Sequence, residues 1–86
     1  MKMYFFTFRS ITLAQRAEAA LQKSGVKCKM RRTPRWMEEQ GCGYGVEFAA
    51  AELKQGMEIL RKAGIRHRRS YLLQPDGGVE AVHDLS

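Results

Sequence analysis

Two stretches of the sequence share one pattern: the end of a helix, a glycine and then a basic segment. They are LQKSGVKCKMRR at residues 21–32 and LRKAGIRHRRSY at residues 60–71. A glycine at this position ends a helix readily because it adopts the left-handed backbone conformation without steric cost. The repeat therefore predicts two helix–strand units and restricts the chain to folds that use such a unit twice.

The segments around these units complete an alternation of strands and helices. MYFFTF at residues 3–8 is typical of a strand, and the hydroxyls of Ser10 and Thr12 can cap the helix that follows. Apolar residues then recur at helical spacing, and at every second position in residues 26–32 and 44–48. The predicted order is a strand at residues 3–8, a helix from Leu13 to Gly25, strands at 26–32 and 44–48, a helix at about 50–63 and a strand at 65–73.

This order of elements predicts the fold class. The arrangement β-α-β-β-α-β with right-handed crossovers gives a ferredoxin-like α+β fold, a four-stranded antiparallel sheet with two helices on one face. The turn signal PDGG at residues 75–78 can fold residues 79–82 back as a short extra edge strand. We therefore expect one domain at residues 1–74, followed by a turn and a tail or edge strand at 75–86.

The chain is short and carries no targeting or membrane-spanning pattern. Its 86 residues, 44% of them hydrophobic, suit one small core. No apolar run approaches the roughly 20 residues that span a bilayer, and the apolar start of the sequence is too short for a signal peptide. We expect a soluble, cytoplasmic protein with no membrane partner, in which cysteines are reduced.

The two cysteines, Cys28 and Cys42, lack the spacing of a metal site or a disulfide framework. They are 14 positions apart, outside any CxxC motif and without a neighbouring histidine pair. No metal or other cofactor is predicted. Cys28 alternates with lysines, which indicates a core position, and His67 stands among arginines, where we expect a solvated strand residue.

Basic residues dominate the charge of the chain. Fifteen Lys and Arg against nine Asp and Glu give a formal net charge of +6, which favours anionic partners without choosing between nucleic acid, an acidic protein face and a charged substrate. Two clusters in the sequence hold most of these residues: Lys27, Lys29, Arg31, Arg32 and Arg35, and Arg61, Lys62, Arg66, Arg68 and Arg69. They form either one positive surface or separate solvated strand faces.

The loop between the second and third strands carries the candidate chemistry. Its sequence is TPRWMEEQGC at residues 33–42. Pro34 lies near the start of the loop, and Cys42 at its end lies between Gly41 and Gly43. We expect the proline and the two glycines to set the loop geometry. Flanking glycines let a partner approach the sulfur, and cationic neighbours lower a thiol pKa from about 8.5. The candidate thiolate-stabilising or partner-binding residues are Arg31, Arg32, Arg35 and Trp36. The alternative is a tight turn in which Cys42 is a small filler.

Together these motifs resemble a known family. An aromatic first strand, a glycine-stopped helix before a basic strand, TPR at residues 33–35, a spacer and Cys42-Gly43 opening the next strand are similar to the selenium- or sulfur-carrier-like proteins, over residues 3–72. The resemblance implies that Cys42 holds a persulfide or perselenide. It also implies a carrier rather than an enzyme, with sulfur or selenium donor and acceptor proteins as its partners.

Two other functions stay open at this point. The sequence GYGVEF looks like the base-stacking strand of RNA-recognition domains. However, Tyr44, Val46 and Phe48 share one face, so if that face is the core, nucleic acid is not the expected partner. A protein-interaction module that uses the basic surface and leaves Cys42 idle is the stronger rival. Trp36 is either a lid or partner anchor, or a cover for the core edge, and a homodimer is left open.

Overall fold

A computed structural model of the chain describes residues 2–34 and 43–82. The strands are β1 (Met3–Thr7), β2 (Cys28–Arg32), β3 (Tyr44–Ala49), β4 (Arg69–Leu73) and β5 (Val79–Val82). The helices are α1 (Ile11–Lys23) and α2 (Leu53–Lys62), and α2 is preceded by a 3-10 turn at Ala50–Glu52. The alternation of strands and helices predicted from the sequence is confirmed.

All strands belong to one antiparallel sheet in the order β2-β3-β1-β4-β5. The arrangement is consistent with the predicted ferredoxin-like fold, but the sheet has five strands and not four. The extra strand arises because the turn at residues 75–78 closes a hairpin. In that turn Gly78 N–H donates to Asp76 Oδ1 over 2.9 Å, and Gly77 has a φ of +94°. The segment at residues 79–82 thus pairs with β4 along its whole length.

The core lies between one face of the sheet and the two helices. Strand side chains at alternate positions, including Phe6, Val46 and Phe48, are fully buried there. The rings of Phe6 and Phe48 meet edge to face at a centroid distance of 5.0 Å. At Gly56 of α2 an added Cβ would lie 3.3 Å from the Phe48 ring, so this glycine allows α2 to pack closely on the sheet. Burial of these rings together with aliphatic side chains of the helices, such as Leu21 and Leu60, holds the layers together.

The two repeated units end their helices in the same way. Gly25 and Gly64 have φ values of +88° and +71°, in the left-handed region. In each unit the residue after the glycine donates its N–H to the carbonyl five positions earlier, from Val26 to Leu21 and from Ile65 to Leu60, both over 2.9 Å. These are the hydrogen bonds of a Schellman motif. The internal repeat seen in the sequence is therefore a repeat of structure as well.

This helix ending also corrects two predicted strand boundaries. We predicted strands from residue 26 and from residue 65, whereas β2 begins at Cys28 and β4 at Arg69. The N–H groups of Val26 and Ile65 are already bonded to the preceding helices, so they cannot start a ladder with a neighbouring strand.

The prediction for His67 is wrong. It lies before β4, and its half-buried ring stacks on Phe6 with centroids 4.1 Å apart and planes 22° apart. A ring that packs against a core phenylalanine in this way is a structural residue and not a solvated strand position.

Candidate functional site

The site predicted from the sequence is built on the hairpin between β2 and β3. Arg32 pairs with Tyr44, and one step further on Thr33 N–H donates to Gly43 C=O over 2.7 Å. Gly43 has a φ of +80°, a conformation that favours glycine. Both ends of the loop are therefore held at a single hydrogen-bonded pair at one end of the sheet.

Four of the predicted site residues, Arg35, Trp36, Gly41 and Cys42, lie outside the described residues. Cys42 directly precedes Gly43 in the sequence, and the carbonyl of Gly43 closes the hairpin.

The two predicted arginines on β2 diverge. Arg31 points to the face away from the helices, where its Nη1 lies 3.1 Å from Glu47 Oε2 in an ion pair. Arg32 points to the helix-covered face, with its Cζ 6.0 Å from the centroid of the Tyr44 ring. Successive side chains of a strand alternate between faces, so the structure does not bring these two guanidinium groups together. Arg32, whose charge faces no described carboxylate, is the better placed to act on the neighbouring loop.

Cys28, the other thiol, is unsuited to nucleophilic chemistry. It is half-buried against the core, and its S–H donates to the Glu18 carbonyl over 3.5 Å. Burial and, to a smaller extent, the nearby Glu18 carboxylate raise the pKa of this thiol to about 11. At neutral pH Cys28 is therefore protonated, as its predicted core position implies.

Sequence reasoning assigned no role to the side chain of Thr33, which the structure singles out. Thr33 is only 5% exposed, and its hydroxyl has no hydrogen-bond partner among the residues that the structure describes. An unpaired buried hydroxyl is costly, so such groups call for an explanation. This one lies at the base of the loop that carries Cys42.

The face of the sheet away from the helices lacks an exposed platform for nucleobases within the described ranges. Its aromatic residues, Phe5 and Tyr71, pair across β1 and β4 and are only 3% and 7% exposed. Gly45 lies beneath Phe5, since an added Cβ would come within 2.6 Å of that ring. The glycine in GYGVEF thus accommodates Phe5, while Val46 and Phe48 face the core as predicted.

Neither a metal cluster nor a membrane-spanning helix is found in residues 2–34 and 43–82. No three Cys, His, Asp or Glu side chains of these ranges gather as metal ligands would. The helices of the same ranges are too short and too polar to cross a bilayer.

A comparison with known protein families adds a finding that is independent of the site geometry. The family model described as "Putative Se/S carrier protein-like" matches residues 3–72. The chain belongs to this family. The part of this Se/S carrier-like protein that matches runs from the start of β1 into β4 and includes the loop with Cys42, while β5 lies beyond it. No curated protein matches the chain.

Proposed function

We propose that this Se/S carrier-like protein holds sulfur or selenium on Cys42 as a persulfide or perselenide and passes it between partner proteins. The observation that carries the proposal is the family match, which spans the loop and its hydrogen-bonded base. Cys28 is a poor alternative, because its buried thiol has a pKa of about 11 and stays protonated. Cys42 is then the cysteine on which the family's chemistry would depend.

The transfer needs no external oxidant or reductant. The Cys42 thiolate attacks the terminal sulfur of a donor persulfide. A new S–S bond forms on Cys42, the donor S–S bond breaks, and the donor leaves as a thiolate. An acceptor thiolate then attacks the terminal sulfur on Cys42 in the same manner and releases the Cys42 thiolate. A perselenide follows the same steps with selenium as the terminal atom.

Positive charge near the loop supports this role, since cations stabilise a thiolate. Arg32 lies at the base of the loop, and Arg35 is covalently part of it. Thr33 offers a buried hydroxyl at the same base. In this proposal the protein is a carrier rather than an enzyme, and it works in the cytoplasm, where thiols stay reduced.

The test is persulfide loading by a low-molecular-weight donor, glutathione persulfide. Wild type and the matched variants Cys28→Ser and Cys42→Ser are incubated with the donor, and the modified residue is located by mass spectrometry. We expect loading of wild type and of Cys28→Ser at Cys42, and none of Cys42→Ser. Equal loading of both variants would show that Cys42 has no special role.

The rival function, an interaction module without a working thiol, is distinguished by a second assay on one of the same variants. A module of that kind would leave Cys42 no more reactive than an ordinary surface thiol. The alkylation rate of Cys28→Ser measured against pH would then give an apparent pKa near 8.5. The carrier proposal expects a value well below that.

A further inference from the structure

One end of the sheet concentrates arginine side chains that the sequence scatters over sixty positions. At this end β1 and β2 finish, and β3 and β4 begin. Arg32 is the last residue of β2, Arg9 follows β1, and Arg66 and Arg68 lead into β4. We call these four residues the arginine end. It is the end of the sheet to which the Cys42 loop is attached.

Main-chain contacts hold the arginine end together. Arg68 N–H donates to the carbonyl of Thr7, the last residue of β1, over 2.6 Å. Arg9 directly precedes Ser10, whose hydroxyl caps α1 by accepting the Leu13 N–H over 3.2 Å. The first turn of this helix contains no acidic residue, so its positive N-terminal dipole adds to the charge of the arginines.

The carboxylates of the described residues do not neutralise this charge. Ion pairs within residues 2–34 and 43–82 join Arg31 to Glu47 and Arg61 to Glu58, and so leave the four residues of the arginine end without a carboxylate. Glu18 is engaged elsewhere, because it accepts the Met30 N–H. The acidic residues that follow β3 or lie in the β4–β5 hairpin are at the opposite end of the sheet: Glu52, Asp76 and Glu80.

Four lysines lie at the opposite end: Lys2 precedes β1, Lys23 ends α1, Lys27 precedes β2 and Lys54 is the second residue of α2. Lys62, the last residue of α2, lies on the arginine side. The separation matters because a guanidinium binds a carboxylate or phosphate with two parallel hydrogen bonds, whereas an ammonium acts as a point charge. The arginines at one end thus indicate a surface for specific anion recognition. The lysines at the other end provide positions for control substitutions with the same change of charge.

The kind of anion follows from what surrounds the arginines. Proteins that bind single-stranded nucleic acid combine a positive surface with exposed aromatic rings on which bases stack. Among the residues that the structure describes, Phe5 and Tyr71 are buried, the His67 ring is stacked on Phe6, Phe48 is in the core, and Tyr44, next to Arg32, is half-buried against the core. A carboxylate-rich protein surface needs only the guanidinium groups and no stacking platform.

We infer that the arginine end is the docking surface for partner proteins and that these partners present carboxylates. This inference rests on the proposed carrier function, which it extends by naming the surface and the chemistry of the partner. Docking there brings an acidic partner to the end of the sheet where the Cys42 loop is anchored. It makes the segment leading into β4 part of the recognition surface, although that segment is far from the loop in sequence.

The experiment measures binding of a fluorescein-labelled oligoglutamate peptide by fluorescence anisotropy at low salt. The test variant is Arg9→Glu/Arg66→Glu, and the control is Lys27→Glu/Lys54→Glu. All four residues are exposed, and both variants change the net charge equally. We expect the arginine variant to weaken binding by about tenfold or more and the lysine variant by about twofold or less. The affinity of Arg9→Lys/Arg66→Lys should lie between those of wild type and the charge-reversal variant. Lysine keeps the positive charge but cannot form the two parallel hydrogen bonds of a guanidinium.

Two results would overturn the inference. Equal weakening by the arginine and lysine variants would mean that net charge alone attracts the peptide. Tighter binding of a labelled oligouridylate RNA than of the oligoglutamate would make nucleic acid the partner. Circular dichroism of each variant shows whether it is folded.

Failure of the docking surface can be told apart from failure of the carrier function. Neither Arg9 nor Arg66 has a role in the thiol chemistry. Glutathione itself carries carboxylates, so the donor for this comparison is the persulfide of N-acetylcysteine methyl ester, which has none, and Arg9→Glu/Arg66→Glu should still load Cys42 from it like wild type. A wild type that binds the peptide but does not load would instead refute the carrier function and leave the surface standing.

Discussion

At the scale of single residues, the environments of Cys28 and Thr33 show how much chemistry depends on neighbours distant in sequence. The alternation of Cys28 with lysines indicated a core position, and the structure agrees. The same alternation says nothing of Glu18, ten positions away, whose carbonyl and carboxylate both act on the thiol. A buried, unpaired Thr33 hydroxyl is equally invisible in the sequence, because burial at a hairpin base depends on the packing of several elements.

The raised pKa of Cys28 predicts how this thiol responds to pH. In the Cys42→Ser variant, alkylation by iodoacetamide should be slow at neutral pH and should accelerate as pH rises toward about 11, the pKa of the folded thiol. Stability should change in the opposite direction. The unfolded thiol loses its proton near pH 9 and the folded one near pH 11, so the free energy of unfolding falls as pH rises through this interval.

Below that interval both states hold the proton, and Cys28 has no effect on the pH dependence. The Cys28→Ser variant, studied by urea unfolding at a series of pH values, should lose this part of the alkaline destabilisation. Rapid alkylation of Cys28 in the folded protein at neutral pH would contradict the assignment.

At the scale of elements, α1 protects the outer edge of β2. The Met30 N–H, which points away from β3, donates to Glu18 Oε2 over 3.0 Å, and the Cys28 carbonyl accepts from Gln22 Nε2 over 3.4 Å. Unpaired groups on an edge strand invite pairing with other chains. Side chains of a helix here take the place of the missing neighbour strand.

This edge contact predicts the effect of changing Glu18. Glu18→Ala removes the acceptor of the Met30 N–H and should lower the free energy of unfolding by about 1.5–3 kcal/mol, the range for a hydrogen bond to a charged group. Glu18→Gln keeps an acceptor oxygen and should cost less than half as much. Urea unfolding of the two variants measures the difference, and light scattering shows whether the alanine variant also associates. Equal stability of both variants would mean that the bond is not formed in solution.

The element order was predictable because local chemistry sets it. Glycines at positive φ stop both helices, and the PDGG turn folds β5 back onto β4. The predicted starts of β2 and β4 are too early, because the alternation of apolar residues does not show which backbone groups are already hydrogen-bonded. The first residues of the alternating segments still belong to the preceding helix through their N–H groups. His67 was misjudged for a related reason, since its stacking on Phe6 depends on how β4 approaches β1.

At the scale of the whole molecule, the topology brings basic residues that are far apart in sequence to particular ends of the sheet. Along the strands the two basic clusters are separated, because β3 and β1 lie between β2 and β4, but Arg32 of one cluster and Arg66 and Arg68 of the other lie at the same end of the sheet. The fold brings four arginines to one end of the sheet and four lysines to the other, with Lys62 at the end of α2 on the arginine side. Net charge was readable from composition, but this distribution was not, since it requires the strand order and the direction of every strand.

Concentrated positive charge predicts a salt effect on stability. Repulsion among the arginines destabilises the folded state, and dissolved ions screen it. The melting temperature of wild type should therefore rise between low salt and about 0.5 M NaCl. Arg9→Glu/Arg66→Glu should show a smaller rise than Lys27→Glu/Lys54→Glu, although both variants have the same net charge. Identical slopes would indicate that repulsion is spread evenly over the molecule.

The hydrogen bond between Thr33 and Gly43 has an evolutionary consequence. Because it closes the hairpin at its base, residues can be inserted, deleted or replaced between these two positions without shifting the register of β2 on β3. Natural selection can thus vary the chemistry around the thiol while the scaffold stays constant. Under the proposed carrier function, relatives with different cargo would differ mainly in this stretch of about ten residues, and grafting it from one relative to another would transfer the difference.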